Sequence, residues 1–532
     1  MDKLVSLCKR RGLVFPSSEI YGGLGSTWDY GPLGVELKKN IKDAWWRAMV
    51  QSRDDVVGID AAILMHPQVW VASGHAEGFA DPFYSCPACG RNHRADHAYD
   101  LIWESPWWQS LLNTMKGEKT SAEFARWAKT DGKKLAPNLS LVKQPEVTIS
   151  WMADLHRAFG GINADFKELV GMIAAHGDGR PGVPCPACGQ TLPEPEAAAL
   201  MMETFLGPVR ATAQKVWLRP ETAQGIFVNF SNALNTTRKR LPFGIAQIGK
   251  AFRNEITPGN FIFRSREFEQ MEMEFFVKPG TDDEWFRYWV EERFRWYKGL
   301  GIREENLRLR PHGEDELAHY ARGCYDVEYL FPIGWSELEG IANRGDFDLT
   351  QHASHSGKDM SYFDDETSQR YTPYVIEPSA GVDRSALAFL VDAYDEELEK
   401  NEMRVVLRFH HDIAPVKVAV LPLSRKEPLA NRARSIYAEL REHWTVQYDE
   451  AQSIGRRYRR QDEIGTPLCV TVDFQALEDN AVTIRHRDDM GQIRVPVSGL
   501  AETLRNKLAG EDLMVLPPGG AVWKAGGDDA TA

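Results

Sequence analysis

The segment 250-KAFRNEITPGNFIFRSREFEQMEMEFF-276 alternates like two β-strands around a loop, yet it is dense in charge. At period two, Ala246, Ile248 and Phe252 fall on one face of the first strand. Gln247, Gly249, Ala251, Arg253 and Glu255 fall on the other. In the second strand Met271, Met273, Phe275 and Val277 form the apolar face, opposite Phe268, Gln270, Glu272 and Glu274. The loop between them holds Pro258-Gly259 and ends in Arg264 and Arg266. Small residues leave room for a ligand. Three arginines can grip phosphates bidentately, and the carboxylates can hold an ammonium or a metal. A solvated sheet face with surface ion pairs is the plainer reading of the same pattern.

A second constellation is 374-YVIEPSAGVDRSALAFLVDAY-394. A strand ends at Glu377-Pro378-Ser379-Ala380-Gly381, and Val382, Ala386, Phe389, Leu390 and Ala393 then recur at helical spacing. Arg384 lies in the first helical turn, where a cation opposes the helix dipole. An anion at that N-terminus would account for it; an ion pair with Asp383 or another acid is the alternative.

Cys86-x-x-Cys89 and Cys185-x-x-Cys188, each followed by glycine, make a four-thiolate set suited to structural tetrahedral zinc. His93 and His97 are alternative ligands, and reduced cysteines are the other reading. Arg456, Arg457, Arg459 and Arg460 around Tyr458 form the most basic run. Arginines there suit phosphates and the tyrosine suits a base, unless the run is a solvated helix face.

These residues need scaffolds. Residues 1–85 mix glycine-rich turns with a helix-like stretch at 35–50, and residues 86–190 read as an insertion bounded by its own cysteines. Strands return over 204–280, an aromatic amphipathic helix spans 281–300, and strands precede a helix from Val382. After residue 409 strand and helix alternate to about 510, which predicts a separate α/β domain; 511–532 reads as a loose, flexible tail. The chain of 532 residues is 43% hydrophobic with 16 Trp, 24 Phe and 16 Tyr, enough for several packed cores. A net charge of −13 argues mildly against nucleic acid but leaves room for a local basic face. No apolar run reaches membrane-helix length, and the start has no signal-peptide core, so a cytoplasmic, reducing location is expected. Seven cysteines do not form an even disulfide framework.

FRNE with FRSREFEQMEMEFF resembles the second signature motif of class II aminoacyl-tRNA synthetases, and EPSAGVDRSALAFL the third. WLRPETAQGIFVNF and RADH are similar to the glycyl member of homodimeric type. IGRRYRRQDEIGTP resembles the anticodon-binding domain shared with the histidyl, threonyl and prolyl enzymes. The resemblance runs from residue 1 to about 510. The first motif is weak, with the helix at 35–50 and a strand ending at Pro67 as candidates.

The resemblance implies an α+β fold, an antiparallel sheet flanked by helices with a C-terminal α/β domain. It implies glycine, ATP with Mg2+ and tRNA(Gly) as reaction partners, a second copy of the chain as a partner, and no membrane. Glycine's carboxylate would attack the α-phosphate of ATP, and the glycyl group would pass to the tRNA 3′ end. Arg253 would clamp the α-phosphate. Asn254 and Glu255, the loop Phe263, Arg264, Ser265, Arg266, Glu267 and Phe268, then Glu337 and Leu338, and Gly381, Val382, Asp383 and Arg384 would build the ATP site. Phe268 would stack on adenine and Glu337 would hold magnesium. Arg94, Glu221, the run Phe268, Glu269, Gln270, Met271 and Glu272, Arg344, and Glu377, Pro378, Ser379, Ala380 and Gly381 would surround glycine. Three carboxylates suit its ammonium, and Ser379 would close the space a larger side chain needs. A class II-like paralogue that binds nucleic acid without charging tRNA(Gly) should lose the ATP arginines, which this chain keeps. A ligase loading a carrier protein should lack the C-terminal domain.

Overall fold

The computed structural model describes residues 1–95, 97–115, 126–143, 167, 170, 182–256, 259–314, 316–318, 320–399 and 401–523. Pro258 of the expected loop and most of the insertion's interior lie outside them. The chain forms two compact units: Met1–Ser73 with Thr204–Phe252 and Gly259–Ala532, and Gly74–Glu203 with Arg253–Pro258.

The first unit is built on seven strands: β1 (Val56–Gly58), β2 (Phe243–Phe252), β3 (Glu267–Val277), β4 (Leu307–Pro311), β5 (Gly323–Phe331), β6 (Gly334–Gly345) and β7 (Tyr374–Gly381). Their spatial order is β4–β5–β6–β7–β3–β2–β1. All neighbours are antiparallel except β1 and β2. Alternation sorts the side chains as the pattern requires: Met271, Met273, Phe275 and Val277 are fully buried in the main core. That core also takes residues from α1 (Pro32–Trp46), α3 (Asp282–Gly299) and α5 (Val382–Ala393). The opposite sheet face meets a smaller core beneath α2 (Ala223–Phe227) and α4 (Phe347–Ser356), with Phe227, Phe243, Phe276 and Leu349 in it. No strand ends at Pro67. That proline opens the helix Pro67–Ala72, at a first-turn position where a missing N–H costs nothing.

A hairpin, β8 (Tyr394–Glu399) and β9 (Glu402–Leu407), leads to a six-stranded sheet. Its strands are β10 (Val418–Pro422), β11 (Val446–Tyr448), β12 (Leu468–Val472), β13 (Ala481–His486), β14 (Gln492–Pro496) and β15 (Ala521–Val522). β10 runs parallel to both β11 and β12, and every residue of β10 and β12 is buried, as expected where helices cover both faces. The helices are α6 (Leu429–Leu440), α7 (Ile454–Ile464) and α8 (Leu500–Leu508). Arg404 of β9, fully buried, donates to Asp462 of α7 at 2.9 Å, and Arg485 of β13 donates to the same carboxylate at 3.0 Å. Part of the tail expected to be loose from 511 is packed. Leu513 is buried in the domain core and Ala521–Val522 pair with β14, because an apolar side chain and free strand-edge groups hold them; residues 524–532 lie outside the described ones.

The second unit holds a three-stranded antiparallel sheet, Asn92–Arg94, Ala80–Ser85 and Glu196–Ala199, and a tryptophan-rich core including Trp107, Trp108 and Trp127. It extends beyond the cysteine-bounded 86–190 on both sides. No helix among the described residues is long and apolar enough to cross a membrane.

Candidate active site

Adjacent strands β3 and β7 place Glu272 directly opposite Ser379. The Glu272 carboxylate accepts from the Ser379 hydroxyl at 2.7 Å, from Gln270 Nε2 at 2.8 Å, from the Thr222 amide at 2.8 Å, and from the Thr222 hydroxyl. Burial first, and Glu221 second, nevertheless raise its pKa, against the pull of those donors. Glu221 itself accepts from Gln224 at 3.1 Å. Arg344 on β6 is buried and donates to Glu377 at 2.9 Å and twice to Asp348 of α4, at 2.7 and 2.9 Å. Its guanidinium stacks 3.8 Å over the Tyr320 ring. Burial pushes the Glu377 carboxyl up to about 7; Arg344 opposes this, while Glu272 and Glu221 add to it. Glu221, Gln270, Glu272, Arg344, Glu377 and Ser379 thus gather in one acidic cluster of the first unit.

Arg219 and Thr222 were not singled out by the sequence reading. Arg219 donates to the carbonyls of Lys250 and Ala61 at 2.6 and 2.7 Å. Gly249 makes this possible, since a Cβ there would run into the guanidinium. Both residues lie in the quoted WLRPETAQG stretch, which was the available signal.

The phosphate-type residues sit at the N-terminus of α5. Arg384 donates to the Phe263 carbonyl at 3.3 Å and the Glu337 carbonyl at 3.2 Å, pairs with the Glu337 carboxylate at 3.2 Å, and lies 4.6 Å from the Phe263 ring centroid. The ion-pair alternative is thus met, by Glu337 and not by Asp383. Asp383 instead accepts from Tyr30 at 2.5 Å, Lys38 at 2.9 Å and the Glu269 amide at 2.8 Å. The Arg266 guanidinium donates to the Gly25 carbonyl at 2.7 Å. Arg264 bridges Gly259 through its backbone, and Phe268, half-buried, pairs with Ala251. A cleft of about 460 Å³ is lined by Tyr30, Lys38, Lys250, Ser265, Glu267 and Asp383, where Lys250 meets Glu267 at 2.8 Å.

Some expected ligand residues face elsewhere. Glu269 points to the α1 side, where Lys38 and Lys42 hold it at 2.9 and 3.0 Å. Strand alternation requires this, because Gln270 and Glu272 take the other face. The side chains of Met271, Ala380, Val382 and Leu338 are buried in the main core and Pro378 is buried too, so only backbone groups of the four core residues could meet a ligand. Asp383 is a buried ion-pair partner in place of a ligand group. Gly381 ends β7 and caps α5.

Arg253, Asn254, Glu255 and Arg94 belong to the second unit. There the Arg253 guanidinium lies 5.4 Å from the Phe79 ring centroid, the Asn254 amide donates to Leu200 at 2.8 Å, and Glu255 N donates to Arg253 O at 2.8 Å. Arg94 pairs with Asp81 at 2.6 Å. In the same unit the four cysteine sulfurs lie within 4.8 Å of one another, with Cys86–Cys188 and Cys89–Cys185 both at 3.7 Å. Zinc–thiolate bonds of about 2.3 Å in a tetrahedron place sulfurs about 3.8 Å apart. Gly90 and Gly189 take positive φ, and their amides close the two knuckles on Cys86 O and Cys185 O. His93 Nε2 lies 3.4 Å from Cys185 Sγ, while His97 is exposed.

The basic run meets mostly groups of its own domain and the adjoining hairpin. Arg457 is buried and donates to the carbonyls of Pro422 and Asp449. Tyr458 bonds Thr471 at 2.5 Å beneath the Arg485 guanidinium, and so does not offer its ring for stacking. Arg459 pairs with Glu399 and Arg460 with Asp449, both at 2.5 Å. Arg456 is the exposed member. A helix packed on two layers spends its charges on its neighbours, a fate that composition does not reveal.

Residues 209–412 match the class II tRNA synthetase core domain (G, H, P, S and T), and residues 417–507 the anticodon binding domain. The chain therefore carries the core and anticodon-binding domains of a class II aminoacyl-tRNA synthetase. Full-length similarity narrows the class: the chain is 49% identical to the glycine–tRNA ligase of Thermobifida fusca, covering 96% of this chain and 98% of the relative. It is 52% identical to that of Acetivibrio thermocellus, covering 95% and 98%. The chain belongs to the glycine–tRNA ligase family.

Proposed function

We propose that the Glu221–Glu272–Glu377 cluster is the glycine pocket of a glycine–tRNA ligase reaction using ATP and tRNA. The observation that carries this is the Ser379–Glu272 hydrogen bond within a buried acidic cluster. Carboxylates suit an ammonium, and Ser379 beside Glu272 suits closure of the space a larger side chain would need. The substrate carboxylate attacks the α-phosphate in line, and pyrophosphate leaves. Arg253 and Arg384 balance the charge that shifts onto the phosphoryl oxygens, and alignment replaces general-base chemistry. Arg384 leaves Glu337 for the triphosphate; Glu337, an exposed acid, would hold magnesium, which would supply neutralisation of phosphate charge. Arg344 fixes Glu377 and Asp348 and so positions the pocket.

The four cysteines suit structural zinc by donor type and spacing. On the anticodon-type domain, Arg456 and the exposed Phe474, just past the C-terminal end of the parallel strand β12, are the groups suited to tRNA. Exposed Ile20, Tyr21, Leu24 and Val35 support a second copy of the chain as a partner. Amino-acid-dependent ATP–pyrophosphate exchange tests the assignment. Glycine must support exchange; exchange with alanine, serine or proline in its place would overturn the pocket assignment.

A further inference from the structure

Beneath the pocket lies a carboxyl that the reaction above does not use. Glu274 of β3 is fully buried, and neither of its oxygens meets a hydrogen-bond donor among the described residues. The register sets Glu272 opposite Ser379 and Phe275 opposite Ile376, so Glu274 stands opposite Glu377 on the same sheet face. Its other neighbour across the sheet is the apolar Ile245. The charged groups that face it are Glu272 on its own strand, Glu377 from β7, Arg344 from β6 and Asp348 from α4. Glu221 lies beyond Glu377 and Glu272, and His352 of α4 is occupied by Gln224 at 2.8 Å. Arg344 is the cation in direct contact with these acids, and its three nitrogens are already taken by Asp348 and Glu377. A buried carboxylate with no donor and like charges beside it is costly, so the neutral acid is favoured. Burial, then Glu377, hold its carboxyl well above the usual range.

We propose that Glu274 is the proton store of the glycine pocket: it is a carboxylic acid in the empty site and an ionised carboxylate when the substrate ammonium lies among Glu221, Glu272 and Glu377. This rests on the pocket assignment above. On binding, the ammonium adds one positive charge, the Glu274 O–H bond breaks, and the proton leaves through the open pocket to the buffer. No electron changes owner, and the proton returns when the pocket empties. The device makes the pocket selective for cationic amines. An isostere such as glycolate, with an uncharged hydroxyl where glycine carries its ammonium, brings no positive charge and leaves the acid protonated.

The test is calorimetric titration of glycine into the full-length protein from about pH 6 to about pH 8, in two buffers of different ionisation enthalpy. The wild type is expected to release about one proton, with Kd tightening towards roughly tenfold per pH unit. Glu274→Gln is expected to release fewer protons than the wild type and to show a flatter Kd, the remainder coming from Glu377. Glu274→Met, which needs no hydrogen-bond partner, should behave as the glutamine variant does and guards against a folding defect in it. No proton release from the wild type, or equal release from wild type and either folded variant, overturns the proposal. Glycine binding left unchanged by Glu272→Gln would instead remove the pocket assignment, so the two failures are separable.

Discussion

The Ser379 hydroxyl donates to Oε1 of Glu272 at 2.7 Å, across a β3–β7 register that sets the two residues opposite each other. A charged acceptor makes such a bond worth about 1.5–3 kcal/mol. Ser379→Ala should therefore lower the melting temperature and, by removing a donor that positions Glu272, also raise KM for glycine about tenfold in pyrophosphate exchange. An unaltered KM would remove Ser379 from the pocket.

The acidic cluster also sets a pH dependence of stability. Glu377 holds its proton up to about 7, above its unfolded value, and Glu272 and Glu274 are raised as well. Stabilisation from groups of this sign is complete at low pH and lost as pH rises through the folded pKa. The melting temperature of the ligand-free protein should fall between pH 6 and about 7.5, and saturating glycine should raise it more at the upper pH. Asp488, held down at about 2, titrates outside this window. A glycine-induced shift of equal size at both pH values would refute the account.

Removing either arginine proposed for the phosphates should act on the chemical step. Arg253→Ala and Arg384→Ala should each lower exchange by about 10²–10³-fold with little change in melting temperature. Near-normal exchange in either variant would dismiss that residue from phosphate stabilisation.

Metal analysis of the purified protein should find one zinc per chain. Cys185→Ser should lose it and loosen the tryptophan-rich core of the second unit, seen as faster proteolysis within Gly74–Glu203. Full activity with no bound metal would rule the site out as a zinc site.

The two arginines at the start of α7 should separate cleanly. Arg456→Glu should weaken tRNA binding and shallow its salt dependence, leaving pyrophosphate exchange untouched. Arg457→Ala should instead destabilise the domain by about 1–3 kcal/mol, because the Pro422 carbonyl loses its buried donor. If Arg457→Ala weakened tRNA binding at unchanged stability, the buried assignment would be wrong.

Much of this was legible locally. Period two separated the Met271–Val277 core face from the Gln270–Glu274 face, and the strand-to-helix switch at Gly381 placed Arg384. What was not legible is which charge answers which. Glu269 lies within the resembling motif but is claimed by Lys38 and Lys42, from a helix far away in the chain. Asp383 follows the same rule. The arginines of α7 look available in the sequence because the acids that consume them, Glu399 and Asp449, lie elsewhere along it. Ion pairs between distant segments leave no periodicity, so a single sequence shows the charges without their partners.

The buried Arg404–Asp462 bond has a consequence for how the protein fails. It joins a hairpin on the catalytic side to the helix of the anticodon-type domain, and Arg485 leans on the same carboxylate. Opening that seam would take Arg404 from Asp462 and from the Arg487 carbonyl it also holds, leaving Asp462 to Arg485. Heat should therefore meet the two sequence-defined domains as a single cooperative block, melting in one transition at one temperature.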